Sequence, residues 1–209
     1  MVVGVVGGSG GVGATGFAAA LAAAAARRYG RSVLLDLDPG RGGVDVQLGV
    51  EAEPGARWSG LRLAGGHLDP EVLTSGLPHW GDVAVLAADG SEPSAPAVAQ
   101  VVEVGQHAGP VVADLCRHPT PARAALIARC DLVVLIARAD VSGVTGARTV
   151  AAGVDAPLGL LVRGRSGRDL DELIGAARLG RLPRGRRLEP TRSVRLVAAG
   201  VLDAVERAR

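Results

Sequence analysis

Lysine and asparagine are both absent from this chain of 209 residues, so each of its 23 basic side chains is an arginine. Aromatics are scarce as well, with one Phe, one Tyr and two Trp. Ala, Gly, Val and Arg abound instead, a composition that reflects a codon bias toward G and C as much as a structural choice. A formal charge of +2 is too small to imply nucleic-acid or membrane binding, and the arginines concentrated between Arg163 and Arg195 read as a solvated basic surface. The two cysteines, Cys116 and Cys130, have no metal-ligand spacing and make no disulfide scaffold, which points to a reducing cytoplasm. The alanine-rich stretch 18–26 is too short to cross a bilayer, and no basic residue precedes it as in a secretory signal. No linker-like segment interrupts the chain, and its length fits a single domain, 1–209.

What is present begins with Gly8-Ser9-Gly10-Gly11-Val12-Gly13-Ala14-Thr15. The segment follows an apolar run, Val2-Val3-Gly4-Val5-Val6, and leads into a helix-forming stretch, an order that aims backbone N–H groups at an anion. Against the P-loop pattern G-x-x-x-x-G-K-[ST], Gly8, Gly13 and Thr15 fit, whereas Ala14 stands where the lysine belongs. A charged hydrogen bond to phosphate contributes about 1.5–3 kcal/mol, or roughly ten- to a hundredfold in affinity. Nucleotide binding can therefore outlast the loss of that lysine. Hydrolysis suffers more, because charge building on the phosphoryl oxygens needs fixed positive groups, with Arg41 and Arg117 the candidates for rescue.

Strand-like and helix-like segments alternate along the chain. Short apolar runs predict strands over 2–6, 32–37, 83–87, 111–115, 132–137 and 158–162. Helices are predicted over 15–28, 97–106, 121–129, 145–152, 169–177 and 194–208, the first driven by alanine and closed by Gly30. The alternation implies an α/β fold, a doubly wound, mainly parallel sheet with helices on both faces. In such sheets ligands sit outside the carboxyl ends of the strands, where Asp36, Asp38 and Asp114 fall.

Gly10 to Thr15, the segment Val33-Leu34-Leu35-Asp36-Leu37-Asp38-Pro39 with Asp45 behind it, Val111-Val112-Ala113-Asp114-Leu115, and Cys130-Asp131-Leu132-Val133-Val134-Leu135-Ile136 together resemble the deviant-Walker ATPases of the MinD/ParA family. Within that family the chain is most similar to the CpaE/TadZ branch, especially the actinobacterial CpaE-like and septum-site-determining proteins. Trp58-Ser59-Gly60-Leu61 followed by Leu68-Asp69-Pro70 is similar to that branch too.

The resemblance implies ATP or ADP with Mg²⁺ on Gly8, Ser9, Gly10, Gly11, Val12, Gly13, Ala14 and Thr15. The family's signature lysine would stand at Ser9 and its ordinary Walker lysine at Ala14; this chain has neither. Thr15 matches the hydroxyl on Mg²⁺, Asp38 the carboxylate that positions attacking water, and Asp114 the Walker B acid; Asp36 joins Thr15 and Asp114 as a metal candidate. Arg163 stands where an asparagine ordinarily reads the base. The resemblance further implies an ATP-dependent homodimer and partners in a Tad-like secretion or pilus apparatus or the division septum. It also implies a cytoplasmic protein reaching membrane or pole through those partners; no nucleic-acid partner is expected, given the small net charge. CpaE/TadZ relatives commonly carry a receiver-like domain before the P-loop domain, and the expectation here is the P-loop domain alone, the other being either missing or ahead of the sequence given.

The same loop admits other readings. Gly8-x-Gly10-x-x-Gly13 after a strand, with Asp36 at the end of the next, fits an NAD(P)-binding Rossmann unit. A scaffold that keeps the fold without a nucleotide would use the glycines for tight packing alone. His67, His79, His107 and His118 are scattered, and Cys116 with His118 beside Asp114 reads as a loop before a metal or thiol site. Asp45 fits either a switch-region contact or a favourable acid at a helix start. Val194, Leu196, Val197, Val201, Leu202 and Val205 form an amphipathic face expected to dock on the domain's own core.

Overall fold

The computed structural model describes residues 1–40, 43–61, 70–164, 170–183 and 191–209. Among them, strands β1 (Val2–Gly7), β2 (Ser32–Asp36), β3 (His79–Trp80), β4 (Val83–Leu86), β5 (Val111–Leu115), β6 (Leu132–Arg138), β7 (Leu158–Arg163) and β8 (Ala177–Leu182) build one sheet. Its order is β3-β4-β2-β5-β1-β6-β7-β8. All pairings are parallel except that of β3 with β4. The helices are α1 (Ala14–Tyr29), α2 (Val44–Leu48), α3 (Pro70–Ser75), α4 (Ala95–Ala108), α5 (Pro121–Ile127), α6 (Val141–Ala151), α7 (Leu170–Ile174) and α8 (Arg192–Ala208).

Alternation along the central strands feeds two cores, as a sheet covered on both faces requires. Val33, Leu35, Val111, Ala113, Leu135 and Leu160 belong to the core under α4, α5 and α6. Val3, Val5, Leu34, Val112, Ile136 and Leu161 belong to the core under α1 and α8. The alanines of α1 let it press against the sheet and α8 at once, with ten of its residues buried. Gly30, at φ 86, closes it in a left-handed cap. Arg28 then bridges to Asp203 and Glu206 of α8 at 2.5 Å each. On α8 itself Val194, Ala198, Val201, Leu202 and Val205 are buried while Leu196 faces solvent, so the amphipathic face docks on the core.

The α/β expectation holds, with local corrections. The helix expected over 169–177 ends at Ile174, because Gly175 turns the chain at φ 74 and Ala177 opens β8; residue 169 lies outside the described residues. Helix α6 starts at Val141 because Asp140 caps it, its carboxylate accepting the Gly143 N–H at 2.7 Å. Strand β3 is a two-residue antiparallel edge too short to carry a periodic signal.

Candidate functional site

The loop leaving β1 rises from the middle of the sheet, between β5 and β6. Its first glycine is held from below and from the side. The Gly8 N–H donates to the Ile136 carbonyl at 2.8 Å, and a Cβ on Gly8 would stand 2.8 Å from both Cα and Cβ of Ala147. A Cβ on Gly146 would in turn overlap the Gly8 carbonyl oxygen. Helix α6 therefore lies directly on the loop, and only small residues permit that approach. Gly11 and Gly13 take φ 70 and φ 86, the left-handed region that a side chain disfavours. Gly13 is also the N-cap of α1, and its carbonyl accepts the Phe17 N–H at 3.0 Å.

The start of α1 differs from those of α4, α5, α6 and α8. Their first turns are capped by the side chains of Ser94, Thr120, Asp140 and Thr191. At α1 no side chain caps the N–H groups, and no acid lies in the first turn. The donors over 13–15 and the positive end of the helix dipole thus stay open to an anion. Within the loop, the buried Ser9 Oγ also lacks a protein partner among the described residues.

Asp36 ends β2 and stands in register with Asp114, one residue before the end of the adjacent β5; Asp114 also pairs with Val5 of β1. Both are buried. They share strand parity with Leu34 and Val112, which puts them on the α1 face. The Asp36 carboxylate accepts the Asp38 N–H at 3.0 Å and the Val44 N–H at 2.8 Å, while its carbonyl accepts the Trp58 indole N–H at 2.6 Å. Burial pushes the Asp36 carboxyl above the ordinary carboxylate range, against the backbone donors that stabilise its ionised form. The half-buried Asp38 accepts the Gly40 N–H at 3.2 Å. Asp45, by contrast, pairs with Arg57 at 2.9 Å and anchors the segment leading to Trp58.

Arg163, at the end of β7, shares parity with Leu161 and so lies on the α1 face. There it is 7% exposed, and its guanidinium donates to the Val12 carbonyl of the loop. Burial pulls its pKa below the ordinary value, although a guanidinium remains charged. The family resemblance puts Arg163 where the base is read; the contact that it makes within this chain is with the Val12 carbonyl of the loop. Of the other cations considered, Arg41 lies outside the described residues and Arg117 is exposed on the loop after β5.

Among the described residues the others form no second centre. Cys116 contacts the His118 carbonyl rather than its ring, and burial raises the Cys116 thiol pKa. His67 lies outside the described residues. Among the described residues no cluster of three or more His, Cys, Asp or Glu could hold a metal by protein ligands alone. No helix among the described residues is long and apolar enough to cross a membrane.

Comparison with known proteins gives the same frame. The chain is 42% identical over 171 residues to the uncharacterized protein Rv3660c of Mycobacterium tuberculosis, covering 79% of this chain and 48% of the relative. It thus spans about half the length of the curated relatives it matches. Among solved structures it is similar to a ParA family ATPase from Chlorobium tepidum, with TM-score 0.75 at 15% identity over 99% of this chain and 96% of that one. The septum site-determining protein MinD of Pyrococcus horikoshii, solved with Mg-ADP, matches with TM-score 0.67 at 16% identity over 99% and 96%. A chain of the MinC:MinD cell division protein complex of Aquifex aeolicus matches with TM-score 0.64 at 19% identity over 100% and 93%. No family model matches the chain. The fold is accordingly that of the MinD/ParA-like P-loop ATPases.

Proposed function

We propose that this protein is a nucleotide-binding regulator of the MinD/ParA type that takes ATP or ADP with Mg²⁺ on the loop from Gly8 to Thr15 and hydrolyses it weakly or not at all. The observation that carries the reading is the start of α1. It is the helix end approached through a glycine loop, with no side-chain cap and with the buried carboxylates Asp114 on the adjacent strand β5 and Asp36 on β2 beyond it. Mg²⁺ would be held by the Thr15 hydroxyl and, through water, by Asp114, and it would neutralise phosphate charge there. Asp36 already gives both carboxylate oxygens to backbone N–H groups, so we assign it to holding the turn after β2 rather than to the ion. The same engagement weighs against a ribose on Asp36 and hence against an NAD(P) site.

The wider role follows the resemblance to CpaE-like and septum-site-determining proteins: a homodimer formed around ATP, acting with proteins of a secretion or pilus apparatus or of the septum. Output then depends on occupancy. Calorimetric titration with ATP, ADP and NAD⁺, with and without Mg²⁺, tests the reading. Mg-ATP or Mg-ADP should bind and NAD⁺ should not; tight NAD⁺ binding alone, or no binding at millimolar concentration, overturns it.

A further inference from the structure

The Val12 carbonyl of the loop carries a cationic side chain, that of Arg163, 151 residues away in the chain. No peptide bond in the described structure is cis. In a trans peptide the C=O and the following N–H point in opposite directions. Pinning the Val12 oxygen toward β7 therefore turns the Gly13 N–H the other way, to the side where the open first turn of α1 presents its donors. Hydrogen bonding at the carbonyl also polarises the peptide, which makes that N–H a stronger donor.

The arginine is expensive where it sits. A guanidinium buried to 7% exposure is tolerated only if it is compensated, and its desolvation is visible in the lowered pKa. An anion on the far side of the Val12–Gly13 peptide would add to such compensation. A cation is also what the loop lacks, since Ala14 takes the place of a lysine and the sequence contains none. Solvated surface arginines such as Arg117 have neither the burial nor the contact.

We infer that Arg163 is the positioning residue of the phosphate loop: held on the Val12 carbonyl, it orients the Gly13 N–H toward the ligand's phosphates and supplies, from behind the loop, the fixed positive charge that Ala14 does not. This deepens the nucleotide-binding reading and rests on it. The ligand chemistry is a polyphosphate, recognised through its anionic oxygens rather than its base.

The test compares wild type, Arg163→Gln and Arg163→Lys by calorimetry with Mg-ATP, Mg-GTP, inorganic triphosphate and adenosine, after circular dichroism and thermal melting establish folding. Arg163→Gln should weaken Mg-ATP and triphosphate alike by about tenfold or more, leave adenosine unchanged, and leave the ATP-to-GTP ratio unchanged. Arg163→Lys, which keeps the charge, should recover part of the loss. Equal triphosphate binding by wild type and a folded Arg163→Gln, or a change confined to the ATP-to-GTP ratio, overturns the inference while leaving the nucleotide reading standing. Absence of all binding in wild type overturns both. A second measurement needs no variant. In wild-type protein, amide NMR should show the Gly13 proton moving downfield on addition of triphosphate, with the Arg163 guanidinium protons slow to exchange; an unmoved Gly13 amide overturns the inference.

Discussion

Asp36 and Asp114 are register partners on adjacent strands, both buried and both on the α1 face, and Asp36 is tied by both carboxylate oxygens to the turn that follows it. The Asp38 and Val44 N–H groups both reach that carboxylate, so Asp36 fixes where Asp38 stands. The pair thus divides into an acid that shapes the site and an acid at the end of the strand beside the loop.

Asp36 gives stability a pH dependence of defined sign. Its carboxyl in the folded protein is raised above the ordinary value by burial, so the native state holds this proton at pH values where the unfolded chain has lost it. The contribution is fully present below the unfolded pKa and is lost as pH rises through the folded one. In Asp36→Asn the remaining amide oxygen can serve only one of the two backbone donors well, a loss of about 1–3 kcal/mol. Urea unfolding from about pH 4 to about pH 7 should show the advantage of wild type over Asp36→Asn shrinking as pH rises. A difference that grows with pH would contradict the assignment.

Contact between α6 and the loop makes Gly146 intolerant of a methyl group. Gly146→Ala would drive a Cβ into the Gly8 carbonyl, and the strain of such overpacking is about 1–3 kcal/mol. At Gly200, inside α8, a Cβ would meet nothing within 4 Å, so Gly200→Ala should stabilise by about 0.5–1 kcal/mol through helix propensity. Thermal melting of the two variants should move in opposite directions, and Gly146→Ala should also lose Mg-ATP affinity.

Both cysteines should be silent in the native state. Burial pushes the Cys130 thiol up to about 12 and raises Cys116 as well, which keeps the reactive thiolate scarce at neutral pH. Mass spectrometry after iodoacetamide treatment should find neither modified in the folded protein and both modified in urea. Rapid native labelling of Cys116 would revive the thiol site beside Asp114.

The central strands and the loop were legible because their signals are local. Val2 to Val6 and Val111 to Leu115 are apolar on both faces, and the loop glycines declare their backbone geometry by being glycine. Strand β8 was not legible: Arg178, Gly180 and Arg181 give it neither an apolar run nor clean alternation, and β7 and α8 hold it in place instead. The role of Asp36 depends on the Val44 N–H, eight residues on. The Arg163 contact with Val12 depends on the order of β1, β6 and β7, which no local pattern encodes.

Restoring the loop lysine should restore affinity. Ala14 is the first residue of α1, partly buried against the core of the α1 face, and a lysine there would project from the helix end at which the donors are open. Ala14→Lys should tighten Mg-ATP by about tenfold or more, read by calorimetry. A folded variant that binds no better would mean that the loop does not cradle phosphate.

Hydrolysis should remain negligible in the wild-type protein. The two positions at which the MinD/ParA resemblance expects lysines hold Ser9 and Ala14, and neither can carry charge to phosphoryl oxygens as they become more negative. Arg163 acts from behind the Val12–Gly13 peptide in our reading, so it aids binding without reaching the transferring group. The combined loss should lower kcat on the order of a hundredfold or more. Positioning water then has little to contribute, and Asp38→Ala should leave both ATP affinity and the residual rate nearly unchanged. Asp114→Ala should instead weaken the Mg²⁺-dependent part of binding. Phosphate release by protein freed of contaminating ATPases decides the matter, with Asp38→Ala as control: robust turnover that vanishes in that variant would place an arginine at the phosphoryl group, with Arg117, and Arg41 outside the described residues, the first to substitute.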